Sequence, residues 1–156
     1  MTRPSIHTTL TRIAFEMAER STCSRQHNGA IIAREGRILS SGYNGVPRGM
    51  THCVHDEGDR SETDDSNRRT GCPLSVHAEA NAVAFAARSG VALDQAVMYV
   101  TTAPCLACAQ LIINAGIFEV IAAREYRLAD GVTLLRQAHV PVSFIDLEAD
   151  EIVSNL

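Results

Sequence analysis

AVMYVTTAPCLACAQLIINAGIFEVIAA (residues 96–123) sets two short apolar runs on either side of a helix-like segment. AVMYVT and IFEVIAA carry β-branched and aromatic residues without polar alternation, the pattern of strands buried on both faces. Between them, PCLACAQLIINAG opens on proline and closes on glycine, which suit a helix's first turn and the residue past its last. Strand, helix and strand in succession imply a parallel pair joined by a crossover. Downstream, DGVTLLRQA (130–138) reads as a short helix and VPVSFI (140–145) as a last strand. Upstream, His77 to Ser89 fits a helix stopped by Gly90, and GAIIAREGRILSSGYNG (29–45) reads as a hairpin turning at Glu-Gly. Ile6, Leu10, Ile13, Phe15 and Met17 recur at helical spacing in IHTTLTRIAFEMAER. The expected fold is therefore an α/β layered sheet, largely parallel in its second half.

The chain has 156 residues, enough for one domain with a proper core and too few for two, so a single domain over 1–156 is expected. From Val46 to Val76 the periodicity is lost and the chain turns charged, as a functional flap or a disordered segment would. The composition is 46% hydrophobic and 21% charged, without an apolar run of membrane-spanning length. Polar residues interrupt the first twenty positions where a secretory signal would be apolar, so a cytoplasmic location is expected. With a net charge of −4 and no basic stripe beyond Arg68 and Arg69, a polynucleotide partner is not expected. Five cysteines, an odd number, argue against a disulfide framework in a reducing compartment and turn attention to metal or catalysis.

Two segments carry the chemistry. VHAEANAV (76–83) puts His77 and Glu79 into the opening of an otherwise apolar helix, and PCLAC (104–108) puts Cys105 and Cys108 at the opening of the next. Taken singly, Glu79 can be a carboxylate complementing a helix dipole, and the cysteine pair a buried or redox pair. Taken together they make a metal clamp. Thiols three apart share a helix face, a helix N-terminus favours thiolate, and a neutral His77 completes a Cys₂His set. Three protein ligands leave a zinc coordination position for water, where a structural site would have four. Glu79 is then the base that takes the water's proton. Residues two apart on a helix point about 200° apart. His77 and Glu79 therefore converge only if the helix begins right at them.

The pattern HAE followed by PCxxC resembles the signature of the zinc nucleobase deaminases. Within that group, STCSRQHNGAIIAREGRILSSGYNGVPRGMTHC, HAEANAV and YVTTAPCLACAQLIINAGI are similar to the deoxycytidylate (dCMP) deaminases, over about residues 6–145. The resemblance implies a three-layer αβα, cytidine deaminase-like fold with a five-stranded mixed sheet. It implies a zinc enzyme in pyrimidine deoxynucleotide metabolism that converts dCMP to dUMP and ammonia, as a homo-oligomer with dCTP and dTTP as effectors. Water would add at C4 of cytosine while Glu79 protonates N3 and then helps the amine leave. Asn44 matches the asparagine that holds the sugar 3′-hydroxyl. Arg25 is expected to contact phosphate, and Ala78 and Tyr126 to border the substrate.

In some members a second, structural zinc is held by cysteines at the positions of Cys23 and Cys53. Cys72 lies near further ligands of that site, and His55 or His52 would complete four. Asn28 is a departure, standing beside His27 where relatives usually have valine, and both could approach the nucleotide. The competing readings are another zinc deaminase, acting on a modified dCMP, dCTP, cytidine or tRNA adenosine, and a zinc-binding module without catalysis.

Overall fold

The computed structural model describes residues 3–55 and 72–153, so most of the expected flap, residues 56–71, lies outside the described residues. Helix α1 (Ile6–Ala18) starts where the Ser5 side chain accepts the Thr8 N–H at 3.1 Å. The hairpin of β1 (Gly29–Arg34) and β2 (Arg37–Tyr43) follows. It turns on Glu35 and Gly36, both at positive φ (52° and 73°), the backbone that matches the twist of paired strands. Then come α2 (Ala78–Arg88), β3 (Val97–Val100), α3 (Leu106–Asn114), β4 (Glu119–Ala122), α4 (Asp130–Gln137), β5 (Val142–Asp146) and β6 (Glu151–Val153).

The strands form one sheet in the order β2-β1-β3-β4-β5-β6, with β3, β4 and β5 mutually parallel and the rest antiparallel. The α/β expectation holds, with one addition. Strand β6 pairs antiparallel with β5 and makes the sheet six-stranded rather than five-stranded. All three of its residues are exposed, so it carries no alternation of burial that a sequence could display.

Side-chain alternation divides the sheet into two faces. Ile31, Tyr99, Ile121 and Ile145 pack on one face with Leu10 and Ala14 of α1. Ala30, Ile32, Met98, Val100, Val120 and Ala122 pack on the other, with Ala78, Ala82 and Ala86 of α2, Ala109 and Ile112 of α3, and Leu135 of α4. The result is a three-layer arrangement with one helix on one side and three on the other. The alanines of α2 let it lie unusually close to the hairpin. A Cβ on Gly42 would fall 2.2 Å from the Ala78 carbonyl oxygen, so this glycine sets the height of the first turn of α2 above the sheet. Asn81 donates to the Tyr43 carbonyl at 2.8 Å and Ser40 to the Ala82 carbonyl at 2.7 Å, which fixes the helix along the strand. The start of β1 and the ends of β2 and β3 lie together, with Gly29 beside Tyr43 and Ala30 beside Val100, and the openings of α2 and α3 follow at that edge.

Candidate active site

Both chemistry-bearing helices begin at a candidate ligand. His77 is the N-cap of α2 (φ −70°, ψ 154°) and Cys105 the N-cap of α3 (φ −73°, ψ 172°). Each is in extended backbone, so His77 stands before the helical rotation starts and the 200° separation from Glu79 does not apply. Neither side chain caps its own helix. They face each other instead: His77 Nδ1 lies 3.3 Å from Cys105 Sγ and 3.4 Å from Cys108 Sγ. The backbone of both turns is anchored, by Asn81 N–H to the His77 carbonyl and Ala109 N–H to the Cys105 carbonyl, each at 2.9 Å. A further constraint comes from α4. The Cβ that Gly131 lacks would sit 2.1 Å from the Pro104 oxygen.

The donor set fits zinc. With Zn–S near 2.3 Å and Zn–N near 2.0 Å, a tetrahedral centre puts sulfur and nitrogen ligands about 3.5 Å apart, close to the separations seen. The charges fit as well. Cys105 is brought down to about 4, first by its hydrogen bond with Cys108 and then by that with His77, against the cost of burial. Cys108 is pushed up by the same hydrogen bond to Cys105 and by burial. The pair thus shares one proton and one negative charge beside His77, whose own pKa is raised chiefly by Cys105. A divalent cation at this point replaces the shared proton. Glu79 is 7% exposed, and burial raises its pKa above the ordinary carboxylate range, opposed first by a hydrogen bond with its own backbone N–H, then by the charge of His77 and by a hydrogen bond with Cys108. It is a carboxyl group held out of water against the candidate metal ligands, the kind of setting in which catalytic carboxyl groups have raised pKa values.

The site opens into a cavity of about 380 Å³. Arg25, Asn44 and Tyr126 line it together with His77, Glu79 and Cys105. Tyr126 is flanked by Arg127, whose guanidinium lies 5.4 Å from the ring centroid. Asn44 is buried, and its Oδ1 accepts the Asn28 N–H at 2.7 Å while its Nδ2 donates to the Gln26 carbonyl. It therefore shapes the loop that carries Arg25 as well as facing the cavity. Ala78 is buried in the first turn of α2 and does not line this cavity. Cys23 and Cys72 do, and with Cys53 and His55 they form a second group whose ligand atoms lie within 4.8 Å of one another. His55 joins that group; His52 lies on a different cavity. Sequence reasoning missed Thr102, Ser75 and Arg127 on the wall. Thr102 had one signal, its place three residues before Cys105, and the others had none.

The family model for the cytidine and deoxycytidylate deaminase zinc-binding region matches residues 4–124. The chain belongs to the cytidine and deoxycytidylate deaminase family. Among relatives of the family, deoxycytidylate deaminase of Mycobacterium phage D29 is 37% identical over 130 residues, covering 80% of this chain and 99% of the phage protein. Deoxycytidylate deaminase of Saccharomyces cerevisiae is 36% identical over 141 residues, covering 90% of this chain; the chain spans only 45% of the yeast protein's length. The crystal structure of dCMP deaminase from the cyanophage S-TIM5 in complex with dCMP and dUMP superposes with a TM-score of 0.78 at 32% identity. That match covers 93% of this chain and all of the phage chain. His77, Glu79, Cys105 and Cys108 all fall inside the span that the family's zinc-binding model matches.

Proposed function

We propose that this chain hydrolyses dCMP to dUMP with release of ammonia, with His77, Cys105 and Cys108 holding zinc and Glu79 moving the protons. The single observation that carries the reading is Glu79: a buried carboxyl group in contact with a three-donor site that has no fourth protein donor among the described residues. When bound, zinc supplies the Lewis acidity that makes water nucleophilic near neutral pH. Glu79 takes a proton from the water that adds at C4, delivers it to N3, and passes a second proton to the departing amine. Arg25 faces the 5′-phosphate, Asn44 the sugar, and Tyr126 borders the base. The relatives named for deoxycytidylate and the phage structure holding dCMP and dUMP support this substrate.

The test is Glu79→Gln. It removes the proton carrier while keeping size and hydrogen-bonding capacity, so turnover of dCMP falls by about 10²–10⁴-fold with one catalytic zinc still bound. Unchanged turnover overturns the role. Parallel assays of ammonia from dCMP, CMP, dCTP and deoxycytidine test the phosphate contact, because equal rates with deoxycytidine remove Arg25 from it.

Four finer points belong to the same proposal. Cys23, Cys53, His55 and Cys72 supply the four donors of a closed structural zinc. Exposed Phe85, Leu106 and Leu111 on α2 and α3 support assembly into a homo-oligomer. A second cavity lined by Tyr43, Pro47, Arg48 and Arg88 suits an anionic nucleotide effector such as dCTP or dTTP. Five free cysteines, and no helix among the described residues long and apolar enough to cross a membrane, accord with the cytoplasm.

A further inference from the structure

Asn28, on the cavity wall between Arg25 and the metal-ligand turn, is pinned at all of its polar groups but one. Its N–H donates to Asn44 Oδ1 at 2.7 Å and its carbonyl accepts the Asn44 N–H at 3.2 Å. Its side-chain Oδ1 accepts from the hydroxyls of Thr101 at 3.3 Å and Thr102 at 3.1 Å. Thr101 Oγ1 already accepts the Gly29 N–H at 3.2 Å, so its own proton is available and the atom it meets is an acceptor. This sets the orientation of the carboxamide. What remains is the NH₂ group, two donors with no partner among the described residues, on a half-buried residue that lines the cavity with Glu79 and Thr102. Donation into Oδ1 also polarises the amide and strengthens its N–H groups as donors.

We infer that Asn28 is a specificity-determining residue, whose carboxamide, locked by Thr101 and Thr102, offers its NH₂ to the 2-carbonyl oxygen of the pyrimidine. The inference rests on the deaminase reading above. In that reading C4 faces the zinc ligands and N3 faces Glu79, which leaves O2 as the one ring acceptor without a donor. Thr101 and Thr102 lie just before Cys105 in the chain, and the backbone of Asn28 pairs with Asn44, so the amide stands between the reacting end and the sugar end. A donor at that place selects a 2-oxo pyrimidine over a ring that lacks a good acceptor there.

The test pairs two variants with a substrate change at the same atom. Asn28→Val removes the donor at similar volume, and Asn28→Asp keeps the shape but presents an acceptor. In the wild type, replacing dCMP by its 2-thio analogue, a weak acceptor, lowers kcat/KM by roughly tenfold, the worth of one good hydrogen bond. Asn28→Val lowers kcat/KM for dCMP by a similar factor, mostly through KM, and brings the oxo-to-thio ratio to within about threefold of unity. Asn28→Asp is worse than Asn28→Val. Zinc content and the dCMP-to-CMP preference stay at wild-type values. An oxo-to-thio ratio undiminished in Asn28→Val, or a change in the deoxy-to-ribo preference instead, overturns the inference. Binding of dUMP and 2-thio-dUMP, followed by calorimetry on the same proteins, separates this from the parent reading. A wild type that fails to deaminate dCMP yet loses oxo-to-thio discrimination with Asn28→Val breaks the reaction assignment and keeps the contact. Equal discrimination by both proteins breaks the contact whether or not turnover occurs.

Discussion

His77, Cys105 and Cys108 come from two helix openings seated on the sheet, whereas Cys23, Cys53, His55 and Cys72 come from loops, three of them flanking residues 56–71. Both groups reach the same cavity. The first has its backbone fixed before any metal arrives: by the opening hydrogen bonds of α2 and α3, by Gly42 under the first turn of α2 and by Gly131 against the Pro104–Cys105 peptide. Among the described residues the second is held by turn and loop contacts: Cys23 N–H donates to Ser21 Oγ at 3.3 Å, Ser75 N–H donates to the Cys72 carbonyl at 3.2 Å, and Gly45 pairs with Val76 close by. A preformed three-donor site leaves a place for chemistry. Under the proposal above, a metal on the four loop donors would supply the constraint that the loops lack.

That contrast fails if the two sites respond alike to loss of a ligand. Cys108→Ser should release one equivalent of zinc and lower dCMP turnover by at least about 10³-fold, with the melting temperature little changed. Cys53→Ser should release the other equivalent and lower the melting temperature by roughly 5–10 °C. It should raise KM while leaving kcat within about tenfold, since Cys23 and Cys72 border the wall that carries Arg25. Zinc analysis, thermal melts and steady-state kinetics on the two variants decide it. A Cys53→Ser protein as inactive as Cys108→Ser, at an unchanged melting temperature, would make the second group part of the chemistry.

Thiol reactivity sharpens the same comparison in protein stripped of zinc. Cys105 sits at about 4 because of its hydrogen bonds with Cys108 and His77, while Cys53 is pushed up to about 12, first by burial and then by hydrogen bonds with Cys23 and Cys72. At pH 7 the thiolate fractions therefore differ by about 10⁵. The lower intrinsic nucleophilicity of the more acidic thiol returns roughly 10³–10⁴ of that. Cys105 should thus be alkylated by iodoacetamide about 10–60 times faster than Cys53. Between pH 6 and pH 8 the Cys105 rate should stay flat, because its pKa lies below the window, and the Cys53 rate should climb about tenfold per unit, because its pKa lies above. Mass spectrometry of the labelled peptides reads both slopes. Parallel slopes would show that the two groups hold their protons alike.

How much of this the sequence displayed follows from the range of the forces involved. The strand-helix-strand of residues 96–123, the hairpin and the ligand pairs are local patterns, and each appears within two residues or so of where it was expected. The requirement that α2 begin at His77 followed from helix geometry alone, and it is met. Strand β6 escaped notice because it is short and exposed, held by pairing with β5 and not by a buried face. The double role of Asn44 escaped for a different reason. Its partners Asn28 and Gln26 are sixteen and eighteen residues away, and nothing in GYNG says that the amide clamps a loop as well as facing the cavity.

Gly131 is the clearest case of a site residue without any local signal, and it yields the smallest of the expected effects. As the second residue of α4 it could be any good helix former, since propensity alone favours alanine there by about 1 kcal/mol. Its neighbours decide otherwise: an added Cβ would lie 2.1 Å from the Pro104 oxygen and 2.7 Å from the Cys105 carbonyl carbon. Gly131→Ala must therefore either push α4 outward or displace the peptide that carries Cys105. The helix has only eight residues, so it yields more easily than the turn, whose following residue is bound through Ala109 N–H. Most of the strain then appears as lost stability, about 1–3 kcal/mol as for other overpacked contacts, and a remainder moves Cys105 Sγ. Denaturant titration should show the destabilisation, and competition with a chelator should show catalytic zinc released several-fold more readily, with the second equivalent held as in the wild type. If instead both equivalents loosen together, the two sites are mechanically one, and the division between a scaffolded reaction centre and a metal-pinned loop does not stand.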